Sequence, residues 1–367
     1  MKISKKIKLL ISVGIIGVTI LTGCASKDTE SDKADSNYTI KLGYYNCDHM
    51  TAAPVAVEAG IYKELGLNVE TVGNGKVPEA MAAGQMDAGY IGTKGLVGAI
   101  PKGSPIIVAA NNHKGGSEYL IVSNDIKNPE DLLGKKIASD PEGDLLWTTD
   151  YGPETGLPVD ASKYEVVNMD SSKDAYLALK TGQISGFSAC DPWGSVAEHE
   201  GIGKIISTTQ YKEKATGKEY NCCSFSLNTN FIKEQPELAK KLVLAHTKAI
   251  EYIYTNPVHS AQIFAKAYSV DEEVALMTIY KKTVGEGRTL TWEITGEEYK
   301  NNLDMYKEYD SFEEYPTYDQ VVNDELLKSC GADDFDTFIK ENVDNVFPEG
   351  MNYDEWKEKA MEIDEQK

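Results

Sequence analysis

The sequence predicts an α/β protein of two lobes with a cleft between them, followed by a mostly helical C-terminal extension. Three observations carry that prediction. Runs alternating at period two are followed by helical runs and then by further strands, the order expected of a sheet with parallel strands. The cycle occurs twice, and in each a Gly-Gln element (Gly84-Gln85 and Gly182-Gln183) precedes a short strand. About 330 residues follow the N-terminal segment, more than one hydrophobic core usually serves.

The elements follow in order. Tyr38 to Tyr44 alternates and reads as a strand that stops at Asn46-Cys47-Asp48-His49. Thr51 to Tyr62 is Ala-rich and helical, and Gly66 to Glu70 begins a second strand. Pro78 to Gly84 is a short helix with proline near its start, where a missing N–H costs nothing. Strands at Met86 to Ile91 and Pro105 to Ala110 flank a helical turn at Leu96 to Ile100. The second cycle has strands at Leu133 to Ala138, Tyr164 to Asn168 and Ile184 to Ala189. Helices at Leu145 to Tyr151 and Ser172 to Lys180 lie between them. Cys222 to Asn228 returns to strand, and Phe231 to Tyr254 and Pro257 to Tyr268 are helical. The rest is helical, acidic and rich in Tyr, and reads as a cap on the first lobe. This divides the chain into lobe 1, residues 38–122 with 222–367, and lobe 2, residues 123–221.

Residues 1–23 read as a signal. Lys2, Lys5, Lys6 and Lys8 precede an apolar run from Leu9 to Leu21, too short for a permanent span, and then Leu21-Thr22-Gly23-Cys24. That tetrapeptide resembles a bacterial lipobox, which implies acylation of Cys24 and a mature protein anchored outside the cytoplasm; a plain cleaved signal is the alternative. Residues 24–37 are polar and charged, a flexible tether. The formal charge of −21 becomes about −25 once the four lysines leave. Such a charge disfavours nucleic acid, and it disfavours an anionic lipid surface beyond the anchor itself. Of the five remaining cysteines, Cys222 and Cys223 are adjacent and poorly placed to pair with each other.

Ligands of open parallel sheets sit beyond the carboxyl ends of strands. The candidate ligand-binding residues at those ends are Tyr45, Asn46, Cys47, Asp48, His49, Thr93, Lys94, Asn112, His113, Ser117 and Glu118, with Glu142, Asp144, Cys190, Asp191, Trp193, Cys222 and Cys223. Cys47, His49, His113 and Cys190 are candidate ligands for zinc, copper or iron, since thiolates and imidazoles suit those ions. The alternative for each is ordinary: a cysteine as a small buried hydrophobe, a histidine as a polar contact. Tyr44, Tyr45, Tyr90 and Trp193 supply aromatic surface, while Trp147 reads equally well as helix core.

Taken together, Pro54 to Glu70, Asn128 to Ala138, Asp191-Pro192-Trp193 and Phe231 to Pro257 resemble the nitrate, sulfonate, taurine and thiamine-precursor binding proteins that serve ABC importers. The resemblance spans about Tyr38 to Lys281. It implies a two-lobed periplasmic-binding-protein-like (type II) fold with a central cleft, and a monomer that binds a small-molecule solute. It also implies delivery to a permease with a cytoplasmic ATPase. Catalysis and a resident cofactor are not expected; the alternatives are a metal or a metal-bearing or heterocyclic ligand held through the Cys and His residues, and a single-turnover enzyme resembling the pyrimidine synthases. One departure from the family is Asp140-Pro141-Glu142-Gly143-Asp144, where the relatives typically offer a Gly-Ser turn to an anion; carboxylates there repel one, and Lys94 and Lys114 are the cations that could answer it. Another is Asn221-Cys222-Cys223-Ser224-Phe225-Ser226, which resembles the Cys-rich motif of fungal single-turnover pyrimidine synthases that use iron, a histidine and pyridoxal phosphate, with Ser224 and Ser226 in place of further thiols.

Replacing Cys24 with Ala is expected to release the protein into the medium or leave it as unprocessed precursor. Metabolic labelling with a fatty acid, followed by membrane fractionation, checks this; a processed and labelled Cys24→Ala protein would show the lipobox reading wrong.

Overall fold

The computed structural model describes residues 37–45, 47–73, 76–115, 118–209, 212 and 216–365. The signal, Cys24, the tether up to residue 36, Asn46 and Ser117 lie outside the described residues. Two five-stranded sheets organise the described residues. The first has the order β2-β1-β3-β10-β4, from β1 (Thr39–Tyr44), β2 (Asn68–Gly73), β3 (Ala88–Gly92), β4 (Ile106–His113) and β10 (Cys223–Asn228). The second has the order β7-β6-β8-β5-β9, from β5 (Glu118–Ser123), β6 (Lys136–Ala138), β7 (Glu165–Val166), β8 (Gly186–Cys190) and β9 (Gly203–Thr208).

The sheets are mixed, which corrects the expectation of parallel layers. β10 runs antiparallel to β3 and β4, and β5 runs antiparallel to β8 and β9. The reason is the route of the chain. β5 follows β4 directly from the other sheet, and β10 returns after β9, so each enters at the end where its neighbours leave. β5 also moves a boundary: Glu118 to Val122, placed with lobe 1 by the sequence division, hydrogen-bond within the second sheet. β5 and β9 were not recognised in the sequence. The helix expected at Leu145 to Tyr151 is present; it widens at Trp147–Tyr151 and continues into Gly152–Thr155.

The repeated Gly-Gln element has a backbone cause. Gly84 (φ 68°) and Gly182 (φ 71°) are left-handed and end the helices Val77–Ala82 and Ser172–Lys180. In both, the glycine N–H returns to the carbonyl three residues back (3.0 Å) and the glutamine N–H to the one five back (2.8 Å). That pairing closes a helix and aims the chain at the next strand.

β4 and β10 are buried almost throughout, as expected of strands covered on both faces. The helix Pro236–Thr255 lies over the first sheet and presents Leu238, Leu242, Ala245, Ala249, Ile250 and Ile253 to its core. The C-terminal extension packs on this body as expected. Thr289 to Trp292 hydrogen-bonds along β4, and Trp292 meets Phe335 at a ring separation of 4.9 Å.

His246, on the helix over the first sheet, is 1% exposed. Its Nε2 lies 2.7 Å from the Asn111 carbonyl and its Nδ1 3.1 Å from the Tyr90 hydroxyl. These partners suit a neutral ring that donates from Nε2 and accepts at Nδ1. Burial lowers its pKa to about 4, against the backbone hydrogen bond to Asn111. The unfolded chain therefore takes up the proton first, and stability is lost as pH falls from about 6.5 towards 4. This group accounts for about 3 kcal/mol over that window. Urea unfolding at several pH values is expected to show the loss, and the His246→Asn variant, less stable near neutrality, should show a flatter slope; an equal slope would remove His246 as its cause.

Candidate functional site

Register brings the candidate residues together in pairs. On the first sheet Cys223 is paired with His113 across β10 and β4, and the Cys222 N–H reaches the His113 carbonyl at 3.1 Å. Thr93, just beyond β3, holds Cys222 from the other side, donating from both N and Oγ1 to its carbonyl at 2.8 and 3.0 Å. On the second sheet Glu118 is paired with Cys190 across β5 and β8. The turn after β1 completes the set. Asp48–Met50 forms one tight turn, the Thr51 hydroxyl donates to the Asp48 carbonyl, and the Asn112 amide donates to the His49 carbonyl.

The side chains then form two adjoining groups. In the first, His49, His113, Cys222 and Cys223 each place a donor atom within 4.8 Å of the others. The sulfurs of Cys222 and Cys223 are 3.3 Å apart and lie 3.6 and 3.4 Å from His49 Nδ1. The two imidazoles stack at 4.3 Å. In the second, Cys47 and Asp48 from the first sheet meet Cys190 from the second, again within 4.8 Å. The Asp48 N–H donates to the Asp191 carbonyl at 3.2 Å, so main chain as well as side chains links the two sheets here.

A fully buried lysine stands behind both groups. Lys282 Nζ is 3.1 Å from Asp48 Oδ2 and 2.5 Å from His113 Nε2. Burial alone would depress its pKa, but the Asp48 and Glu286 carboxylates outweigh burial and raise it. Burial, Lys282 and His49 together hold His113 well below the usual range, so that ring is neutral. His49 is the opposite case. Burial would lower it, yet Asp48, 3.6 Å from its Nε2, and the thiols of Cys222 and Cys47 raise it to about 10. The Cys223 thiol donates to Cys222 and, against burial, helps His49 and His113 hold Cys222 well below the ordinary thiol range. A hydrogen bond from Cys190 lowers Cys47 in the same way. Burial lifts Glu118 to about 8, which keeps that carboxyl largely protonated near neutrality.

Other candidates stand apart from these groups. The Asp191 carboxylate accepts from Ser195 N and Oγ at 2.8 and 2.7 Å and from Thr278 Oγ1 at 3.2 Å, so it starts one helix and ties it to another. Trp193 packs on Tyr176 at 5.4 Å in the helical layer of the second sheet. Trp147 is core, with its indole N–H on Ser139 Oγ at 2.7 Å. Glu142 is exposed and accepts from Ala161 N, while Asp144 accepts from Leu146 N. Tyr45 and the exposed Lys94 line a separate hollow with Glu79, Lys102 and Phe312.

Sequence reasoning missed Lys282, Glu286 and Thr278, and it placed Asn221 at a strand end without its bracing role. Asn221 donates to Thr93 Oγ1 and stands 3.0 Å from the Tyr299 hydroxyl, which braces the Cys222 segment. A signal for Lys282 existed. Within the helix Glu272–Thr283 the buried residues include Val274, Thr278 and Lys282, spaced by four, so this lysine falls on the apolar stripe.

Breaking a buried ion pair on one side leaves a bare charge, a loss of about 3–5 kcal/mol. Lys282→Met is expected to destabilise the protein by that order in urea unfolding. Combining it with Asp48→Asn should cost less than the sum of the two single changes, and simple additivity would show that the pair is not coupled.

Residues 33–268 match the model of the NMT1-like family. A protein assigned as a binding protein in Brucella abortus is 29% identical over 247 residues, 64% of this chain and 73% of the relative. Among solved structures, the zinc-bound ligand-binding component of an ABC-type import system from Staphylococcus aureus aligns over 80% of this chain and 99% of its own, with a TM-score of 0.63 and 17% identity. The alkanesulfonate-binding protein SsuA of Xanthomonas axonopodis, bound to MOPS, aligns over 76% and 95%, with a TM-score of 0.60 and 14% identity. At such identities the structural likeness shows a shared fold, the two-lobed architecture described above. The family match goes further: it spans all ten strands of both sheets and most of the chain, and the chain belongs to the NMT1-like family.

Proposed function

We propose that the protein is the solute-binding component of an ABC importer, lipid-anchored outside the cytoplasm. It captures one small solute between a lobe built on the first sheet and a lobe built on the second, and hands it on chemically unchanged to a permease driven by a cytoplasmic ATPase. The observation that supports this best is the meeting of Cys47 and Asp48 from one sheet with Cys190 from the other, in a buried polar patch. Core packing alone does not call for thiols, imidazoles, carboxylates and an ammonium at the junction of two sheets. A solute that bridges the lobes stabilises the closed form over the open one, and that difference drives closure.

The solute is neutral or cationic in this reading. The N–H groups of Gly143 and Leu146, which an anion would need, are taken by Asp140 and Asp144. Lys282 and Lys281 are already paired, with Asp48 and with Glu198.

A thermal-shift panel of alkanesulfonates, nitrate, amines, pyrimidines and metal complexes tests the reading. A true solute at a hundred times its Kd adds about 2.7 kcal/mol of apparent stability. The expected result is a shift for a neutral or cationic compound, with a smaller radius of gyration by solution scattering and recovery of the compound with unchanged mass. Submicromolar affinity for nitrate or an alkanesulfonate alone would overturn the charge assignment, and a covalently altered compound would overturn the binding role.

A further inference from the structure

The first group of side chains has the spacing of a metal site. For a tetrahedral ion with sulfur at ~2.3 Å and nitrogen at ~2.0–2.1 Å, the sulfur–nitrogen edge is about 3.5 Å and the sulfur–sulfur edge about 3.8 Å. Here the sulfur–nitrogen edges are 3.6 and 3.4 Å, and the sulfur–sulfur edge is 3.3 Å. Rotation of one thiol by a fraction of an ångström completes the fit.

Protons decide which nitrogens can take part. Asp48 Oδ1 stands 3.6 Å behind His49 Nε2. A carboxylate there holds the proton on Nε2, so a cation that displaces the other ring proton finds the lone pair of Nδ1 aimed at the two sulfurs, the usual support for a ligating histidine. His113 is arranged the other way. The Lys282 ammonium donates to its Nε2 at 2.5 Å, so the proton of the neutral ring sits on Nδ1, an atom buried without a hydrogen-bond partner among the described residues. His113 therefore faces the same point with an N–H and without a lone pair. Two thiolates and one imidazole prefer soft or borderline ions to Mg2+ or Ca2+. Two buried thiolates also require positive charge beside them; Lys282 is committed to Asp48, and a His49 that ligates through Nδ1 is no longer an imidazolium, so the bound cation itself supplies that charge.

We propose that His49 Nδ1, Cys222 Sγ and Cys223 Sγ hold a thiophilic d10 cation, Zn2+ or Cu(I), with the fourth position, beside His113, left to a donor atom of the captured solute. The metal site rests on this geometry alone; the role of the fourth position rests on the solute-binding reading. A site with three protein ligands and one open position exchanges its fourth ligand readily, whereas four protein ligands close it.

Titration of the full-length reduced protein, purified without chelator, tests the inference with no solute present, so its failure is separate from failure of solute capture. Zn2+ and Cu(I) are each titrated against a chromophoric competitor, and Co2+ serves as the spectroscopic probe. The expected result is one equivalent bound and a thiolate-to-cobalt charge-transfer band. Loss of an outer carboxylate typically weakens a site 10–100-fold, so Asp48→Asn should do that, and Cys222→Ser or Cys223→Ser should do more. His113→Gln should change affinity less than about tenfold, and Cys330→Ser should not change it. The cobalt spectrum of the unaltered protein keeps the test valid if a cysteine variant fails to fold. Absence of the band, or equal affinity in the Cys222→Ser and Cys223→Ser variants, overturns the site; a loss in His113→Gln as large as in the cysteine variants overturns the open position.

Discussion

Burying an ammonium group costs several kcal/mol unless a carboxylate meets it in good geometry, and Lys282 has no exposed surface at all. Its partner Asp48 is equally buried, and the pair anchors much of the junction. Asp48 also faces His49 Nε2 and donates its main-chain N–H to the Asp191 carbonyl of the other sheet. Lys282 reaches His113 and fixes its tautomer. One ion pair thus sets the proton positions on both imidazoles and ties the turn after β1 to the end of β8. The next residue, Lys281, repeats the device towards the second sheet, with Ser195 and Glu198 each at 3.0 Å.

The path of the chain explains why these groups meet. Strands that share the main direction of their sheet deliver their carboxyl ends to the junction, and the crossover strands β5 and β10, which run against it, deliver their amino ends. His113 and Cys190 arrive by the first route, Glu118 and Cys223 by the second. Antiparallel pairing then sets each crossover residue opposite one from a neighbouring strand: Cys223 opposite His113, and Glu118 opposite Cys190. A sheet of parallel strands alone would bring only half of this set to the junction.

Much of this arrangement was legible in the residues. A period-two run located β1, the alternation of short apolar runs with helical segments located β3, β4, β8 and β10, and the rule that ligands lie beyond strand ends pointed to Cys47, His49, His113, Cys190, Cys222 and Cys223. β5 and β9 escaped because their apolar stretches, Tyr119 to Val122 and Ile205-Ile206, are short and lack clean alternation. Trp193 looked like cleft wall because it follows a strand end; the helix that begins there turns it onto Tyr176. Lys282 escaped for a different reason. A lysine in a helix is ordinarily read as solvated, and only the tertiary fold supplies the carboxylate that allows it to be buried.

The charge at the junction follows from how fully each cation is matched. Lys282 faces Asp48, Lys281 faces Glu198, and the imidazolium character of His49 depends on Asp48 and the thiols around it. A simple anion entering here would find donors already satisfied by carboxylates, and it would have to displace them within a region of low dielectric constant. A cation meets the reverse situation. The sulfurs of Cys222 and Cys223 gain a counter-charge, and the protons still held by the ligating groups leave as the cation binds, so affinity rises with pH until those groups are deprotonated. The same chemistry that disfavours an oxyanion at this junction therefore favours a soft cation, or a solute that carries one.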